Sequence, residues 1–499
     1  MRRAAGAPLR LFNTLNGNVQ EFAALQPGAT RVYTCGPTVY AHQHIGNMRS
    51  YVFADTLRRV LEWKGHEVVH VINITDVGHL TSDMDEGDDK LELAARREHR
   101  SVWDIAAYYT GIFLHDLEEL RVRTPSAWAR ATDHIAEMIA FARVLEEKGY
   151  AYELGAGLYF DTARVPDYGK LARLNLAGLQ EGARVAPVPG KRHPADFALW
   201  RASPRDAQRL MEWDSPWGKG APGWHLECSA MSMKYLGARF DLHTGGIDHI
   251  PVHHTNEIAQ SEAFLGGPWV PFWMHNEFVK LGEAKISKSK GGTLLLEDLQ
   301  RQGFHPLCYR YLLLGSRYRS HIEFSWDGLS GAQVALRRLL ERIRGRVPAA
   351  GRPLSYDEAA GQLDDAGRAY LTRLDEAFSA DLNTARAIAV LTELSRDPAI
   401  TAGNLAILVA AAEAVLAIGL LDLVPGDLEA TAAGTIVERD EVEILLRERA
   451  EARHRGDFAA ADDIRRSLDQ AGIELRDTPG GTVWKPRPAA SGRPVRDDG

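Results

Sequence analysis

The sequence of 499 residues predicts an α/β fold: a parallel sheet built from two separated blocks with an insertion between them, then a helical bundle and a small C-terminal unit. Three observations carry this. TRVYTC, NMRSYVFADTLRRVLEWKG and EVVHVINIT read as strand, amphipathic helix and continuous buried strand, which is a βαβ unit. A second α/β block starts near residue 196 with DFALW, PGWHLECSAMSMKYLG and ARFDLHTGGID, and a helix begins near HHTNEIAQSEAFLG. From about 366 to 422 the chain is helical and rich in Ala and Leu.

Each element has a local reason. Gly65 stops the first helix, and the turn before that helix lacks G-x-G-x-x-G, which disfavours a dinucleotide site. After the acidic loop GHLTSDMDEGDDK, helical periodicity covers roughly 97 to 121 and 131 to 149, and a less regular stretch with glycines and prolines extends to about 195. A small unit spans about 437 to 486, and the last dozen residues, rich in Pro, Ala, Arg and Asp, are expected to be disordered. Hydrophobic content of 45% and charged content of 25% suit a globular chain, and a net charge of -8 confines any nucleic-acid contact to local basic patches. MRRAAGAPLRLF lacks a signal-peptide core and no apolar run is long enough to span a bilayer, so a cytoplasmic protein without a membrane partner is expected. Cys35, Cys228 and Cys308 are odd in number and far apart, which argues against a disulfide framework.

Four patterns offer chemistry. Cys35, Cys228, His253 and Glu257 supply sulfur, sulfur, nitrogen and oxygen, a donor set that suits Zn2+, and His253 and Glu257 share a helix face at i,i+4. His254 competes with His253, and a surface His–Glu pair is the plain alternative. HQHIGN places His44, Gly46 and Asn47 at a strand-to-helix turn, where free N–H groups attract phosphate. KLGEAKISKSKGGT offers Lys285 and Lys288 as mobile charges for a polyphosphate, against the alternative of a solvated basic loop. In HTGGIDH, Gly245 and Gly246 would let a nucleoside lie against the chain while Asp248 accepts from a ribose hydroxyl or an amine.

In their order along the chain, CGPTVY with HIGN, NITD, DFALW, SPWGKGAPGWHLECSAM, HHTNEIAQSE, KISKS, YRSHIEFS, ADLNTARA and GIELRDTPGGTVW resemble the cysteinyl-tRNA synthetase family of class I aminoacyl-tRNA synthetases, over about residues 10 to 486. The resemblance implies a Rossmann-type catalytic domain in two halves, 10–115 and 196–275, with a connective insertion at 116–195. It implies a stem-contact segment with the KISKS loop at 276–345, a helical bundle at 346–425, an anticodon-binding domain at 426–486 and a disordered tail at 487–499. It also implies that Cys35, Cys228, His253 and Glu257 hold one zinc per chain, which takes the thiolate of L-cysteine as a further ligand. His44, Asn47, Lys285 and Lys288 then serve catalysis beside ATP and its Mg2+, and Gly46, Thr75, Trp224, Gly245, Gly246 and Asp248 contact ATP or substrate. The implied reaction joins cysteine to tRNA(Cys) by way of cysteinyl adenylate, and the chain is expected to be monomeric.

Two departures stand out. Asn47 replaces the second histidine of the HIGH signature, and Ile286 replaces the methionine of KMSKS. The arginines of RERAEARHRGDFAAADDIRRSLDQ, with Trp484 and Lys485 beyond it, could supply phosphate contacts and a stacking aromatic for tRNA, against the alternative of an amphipathic helix whose charges form i,i+4 pairs. The nearest competing reading is a cysteine ligase with an amino-sugar acceptor, which lacks such a C-terminal unit. A catalytically silent tRNA- or zinc-binding protein is the other, and the retained KISKS lysines argue against it.

Overall fold

The computed structural model describes residues 6–78, 90–155, 157–173, 190–203, 209–281, 294–429, 439–455, 457–470, 473–478 and 481–486. A hairpin of β1 (Arg10–Asn13) and β2 (Asn18–Glu21) precedes β3 (Ala29–Thr34), α1 (Ile45–Trp63) and β4 (Glu67–Ile74). Next come α2 (Lys90–Glu98), α3 (Val102–Glu119), β5 (Ala127–Arg130) and α4 (Ile135–Glu147). The long helical pattern expected over 97–121 is broken at His99, which has φ 52°, and restarts where Ser101 caps α3 by accepting from Asp104 N at 3.1 Å.

Strands β6 (Ala151–Leu154), β7 (Gly157–Phe160), β8 (Phe197–Ala202) and β9 (Gly220–Pro222) form an antiparallel sheet. The chain then makes α5 (Trp224–Leu236), β10 (Leu242–Gly246), α6 (His253–Leu265) and β11 (Phe272–Asn276). The main sheet is all parallel in the order β11-β10-β3-β4-β5. Because helices cover both faces, β3 and β4 are buried toward their carboxyl ends, polar residues included. In β10 and β11 every residue is buried.

Strand pairing divides the catalytic half and the insertion differently from the expected limits of 115 and 195. β5 completes the main sheet beyond residue 115, and β8 and β9 belong to the inserted sheet although they follow residue 195. With six and three residues, β8 and β9 carry too little pattern to name a neighbour, and tertiary pairing sets their partners.

Beyond β11, the short strands β12 (Val279–Leu281) and β13 (Ile322–Phe324) pair in parallel around α7 (Pro306–Leu314). The long α8 (Trp326–Arg344) leads to the bundle of α9 (Asp365–Ser379), α10 (Thr384–Leu394) and α11 (Ala402–Leu416). One apolar core runs from α1 through α7 and α8 into this bundle. The last unit pairs α12 (Arg439–His454) and α13 (Phe458–Gln470) with the hairpin of β14 (Ile473–Thr478) and β15 (Gly481–Pro486), around Leu468 and Ile473. The tail at 487–499 and most of the acidic loop lie outside the described residues.

Candidate functional site

In an open parallel sheet, ligands bind at the carboxyl edge where the strand order reverses. Here that point lies between β3 and β10, from which the chain spreads to β4 and β5 on one side and β11 on the other. Cys35 follows β3 directly, and its N–H donates to Thr244 O at 3.1 Å. Gly36 packs so closely on β4 that a Cβ there would stand 1.6 Å from Asn73 O, so glycine alone permits this turn.

The Cys35 thiol faces α6. Its Sγ is 3.2 Å from His254 Nε2 and 3.9 Å from Glu257 Oε1. His253 Nε2 lies 2.9 Å from the same Glu257 oxygen, as i,i+4 placement on one helix face requires. Donor atoms of Cys35, His253, His254 and Glu257 all fall within 4.8 Å of one another, and all four residues are buried. Cys228, on α5, is in hydrogen-bonding contact with both Cys35 and His253. Its Sγ is 3.8 Å from Asn73 Oδ1. Three of the four expected ligands thus fall in the compact group, and the remaining place is contested by Cys228 and His254.

Outer hydrogen bonds fix this group. Glu257 Oε2 meets His243 Nε2 at 2.9 Å, His253 Nδ1 meets His225 Nδ1 at 3.0 Å, and His254 Nδ1 meets His275 Nε2 at 2.7 Å. His275 in turn reaches Thr14 Oγ1 at 2.8 Å. Motif reading missed His225, His243, His249 and His275; the signal available was the density of histidines between 225 and 275.

The electrostatics suit a cation. Burial would raise the Glu257 carboxyl, but His243 and His253 bring it down to about 2. Burial would lower His253, yet Glu257 and Cys228 raise it to about 10. Burial opposes ionisation of Cys228, but the Cys35 hydrogen bond and the His253 charge bring its thiol to about 6, while burial and the neighbouring thiol push Cys35 well up. Burial and the surrounding imidazoles hold His254 well below the usual histidine range. Two thiols, imidazoles and a carboxylate, buried and converging, fit Zn2+ better than a hard oxygen-seeking ion. The Nδ1 atoms of His243 and His249 are buried without hydrogen-bond partners among the described residues, so the pocket retains unspent polar capacity.

Cys35 also lines a cavity of about 450 Å³ that runs to the start of α1. At that end His44 caps the helix: its Nδ1 accepts from Asn47 N at 3.2 Å, and Asn47 Oδ1 accepts from His44 N at 3.1 Å. An imidazole that accepts at Nδ1 is neutral and keeps a proton on Nε2 to donate. Asparagine in place of histidine therefore completes a reciprocal capping box and keeps an amide donor. Gly46 lines the same wall, and a Cβ on it would meet the His44 ring at 2.9 Å.

Trp224, Gly246 and the exposed Asp248 also line this cavity, with the Trp224 ring 4.2 Å from that of His253. Gly245 has a different role from the expected one. A Cβ there would stand 2.6 Å from His249 Nδ1 and 2.7 Å from His254 Cε1, so this glycine makes room for the histidine rings. Thr75 is buried behind the cavity, accepting from Asn73 Nδ2 and donating to Glu227 Oε2, each at 3.2 Å. Lys285 and Lys288 lie outside the described residues.

Residues 21–334 match the family described as tRNA synthetases class I (C) catalytic domain, and residues 439–484 match the cysteinyl-tRNA ligase anticodon binding domain. The chain is 46% identical to the cysteine--tRNA ligase of Zymomonas mobilis, covering 96% of this chain and 98% of the relative. It is 49% identical to cysteine--tRNA ligase 1 of Burkholderia lata, covering 95% and 96%. Its fold is similar to that of Mycobacterium tuberculosis methionyl-tRNA synthetase in complex with methionyl-adenylate. The TM-score is 0.51 at 15% identity, over 80% of this chain and 90% of the other.

Proposed function

The chain belongs to the cysteinyl-tRNA synthetase family of class I aminoacyl-tRNA synthetases, and on that premise we propose how its residues divide the two steps of cysteine–tRNA ligation. The enzyme activates cysteine with ATP and transfers it to tRNA(Cys), leaving AMP and diphosphate. Because the substrate carboxylate is itself the nucleophile toward the α-phosphate, the protein has to position the reactants and stabilise charge.

Cysteine occupies the cluster end of the cavity. Cys35, Cys228, His253 and Glu257 hold one zinc ion, with His254 as the nearest outer neighbour. When bound, the ion supplies a thiolate-seeking Lewis acid that separates cysteine from serine, which shape alone discriminates poorly. Trp224 forms the wall beside His253, and Asp248 contacts the amino acid or the adenylate, whereas Thr75, buried off the cavity, holds Asn73 and Glu227 in place. ATP lies toward α1, where His44 Nε2 and the Asn47 amide donate to phosphate oxygens and Gly46 gives them access. Gly246 backs the nucleoside, and Gly245 supports it indirectly through the rings it accommodates. Lys285, Lys288 and Mg2+ neutralise the terminal phosphates. The chain acts as a cytoplasmic monomer, and among the described residues no helix is long and apolar enough to cross a membrane.

The observation that carries this assignment is the single cavity joining Cys35 and Trp224 to the His44–Asn47 turn. Cysteine-dependent ATP–diphosphate exchange, with serine as control and followed by charging of tRNA(Cys), tests it. Asn47→Ala should raise the KM for ATP and leave zinc content intact, whereas His253→Ala should lose zinc and raise the KM for cysteine. The reverse pattern would overturn the orientation of the substrates.

A further inference from the structure

Arg49 is 3% exposed, on the second turn of α1, and does not line the substrate cavity. Its guanidinium donates only to main-chain oxygens in the described contacts. Nη1 reaches Phe278 O at 2.6 Å, and Nη2 reaches Ser320 O at 2.6 Å and Arg317 O and Tyr318 O at 3.2 Å each. Burial lowers its pKa to about 10, partly countered by Tyr309 and Glu277, so it remains a cation at neutral pH. A buried cation satisfied by carbonyls is a costly way to fill space. What the planar fork supplies is fixed geometry: several donors at set angles hold several acceptors at set distances, as a lysine or an apolar side chain would not.

The held backbone forms a wall of the site. Phe278 and Val279 line the cavity together with Gly46, Asn47 and Ser50, which flank Arg49 on α1, and a Cβ on Gly46 would stand 3.9 Å from Val279 O. The 317–322 segment backs that wall: Glu277 N donates to Tyr318 O at 2.9 Å, Ile322 N donates to Phe278 O at 3.2 Å, and β12 pairs with β13. One side chain therefore ties the first turns of α1 to the wall beside them. The cysteine end is built from β3, β10, α5 and α6, and among the described residues no hydrogen bond of the Arg49 guanidinium goes to them.

We infer that Arg49 is a positioning residue for ATP, setting the separation between the His44–Asn47 turn and the Phe278–Val279 wall by gripping the carbonyls of Phe278, Arg317, Tyr318 and Ser320. This rests on the proposed placement of ATP beside that turn. A misplacement of about 1 Å in a positioned reactant costs up to a hundredfold in rate, so the effect is kinetic and confined to one substrate. Cysteine affinity and zinc content are set elsewhere and stay constant.

The test measures exchange kinetics in both substrates for the full-length wild type, Arg49→Gln, Arg49→Lys, Asn47→Ala, and Lys64→Met as a control. Lys64 follows α1 at its far end, in a buried pair with Asp375 at 2.7 Å, so its variant disturbs the same helix without touching the cleft. Arg49→Gln should raise the KM for ATP and lower kcat, each by about tenfold or more, with the KM for cysteine within about twofold and zinc stoichiometry unchanged. Arg49→Lys should recover part of the loss, and it carries the test if the glutamine variant does not fold. Lys64→Met should lower Tm and leave both KM values alone. If Arg49 variants lower Tm but leave the ATP parameters of the folded enzyme unchanged while Asn47→Ala shifts them, the positioning role is wrong and the cleft assignment stands. If neither variant affects ATP, both are wrong. An equal rise in the KM for cysteine would also overturn the inference, by showing general damage to the site.

Discussion

Cys228 and His254 compete for one place beside Cys35, His253 and Glu257, and single substitutions separate them. Cys228→Ser should reduce zinc well below one per chain and erase the preference for cysteine over serine in exchange. His254→Gln should weaken zinc by only about 10–100-fold, the usual cost of losing an outer partner, and keep the preference. Metal analysis with chelator competition reads both; the opposite ranking would make His254 the ligand. Proton release offers a second check. At pH 7.5 the metal-free cluster keeps protons on His253, near 10, and on Cys35, while Cys228, near 6, has already lost its own. Zinc binding should therefore release about two protons at that pH and about three below pH 6, so affinity falls as pH falls. Calorimetry in buffers of different ionisation enthalpy measures this, and heats independent of buffer would refute the ligand set. The i,i+4 relation of His253 and Glu257 was legible in the sequence because a helix turns spacing into a shared face. Cys35 and Cys228 were offered by donor type alone, because they meet only through sheet topology; the resemblance is what joined them to one ion. Arg49 left no motif at all, since its partners are main-chain oxygens.

Among the elements, α1 links the ATP end of the cavity to the bundle. It starts at the His44 cap, and its last residues reach Asp375 of α9. Trp63 Nε1 donates to Asp375 Oδ1 at 2.8 Å, Lys64 pairs with it at 2.7 Å, and Ala7 N donates to Oδ2 at 2.6 Å. Nineteen residues span about 28 Å at about 1.5 Å per residue, so one rigid rod joins the two regions. Removing Asp375 leaves Lys64 charged and buried, and Asp375→Ala should cost about 3–5 kcal/mol. Hydrogen exchange should show lost protection at the C-terminal turn of α1 and at the start of the chain, with the first turn less affected. Uniform loss along α1 would mean that the helix unfolds as a unit and is not anchored at its far end. The sequence revealed α1 through its periodicity and Gly65, whose φ of +82° ends the helix. It did not reveal that β5 closes the main sheet or that β8 and β9 leave it, because strands of three to six residues carry too little pattern to name their neighbours.

Across the whole molecule, the first half of the sheet, α7 and the bundle converge on one buried charge cluster. Arg310, fully buried on α7, donates to Asp55 Oδ2 at 2.6 Å, to Leu120 O at 2.8 Å and to Leu416 O at 2.8 Å. It thereby reaches α1, the end of α3 and the end of α11 with one guanidinium. Asp55 also binds Arg59 at 2.7 Å and accepts from Arg123 N at 3.0 Å. Burial by itself would raise the Asp55 carboxyl, but Arg59 and Arg310 hold it well below the usual carboxylate range. A depressed carboxylate contributes stability above its unfolded value of about 3.9, and that contribution disappears as pH falls through the folded value. Asp55→Asn should therefore lower stability at pH 7 by about 3–5 kcal/mol, because two buried cations lose their counter-charge. The gap between variant and wild type should then narrow as pH falls below about 4, where the wild-type group begins to lose its advantage. A chain of several units need not unfold in one step, so the quantity to follow is the urea midpoint of the transition in which exchange activity is lost. Parallel midpoints for wild type and variant from pH 7 down to pH 3 would show that this cluster does not hold the first half of the sheet, α7 and the bundle together.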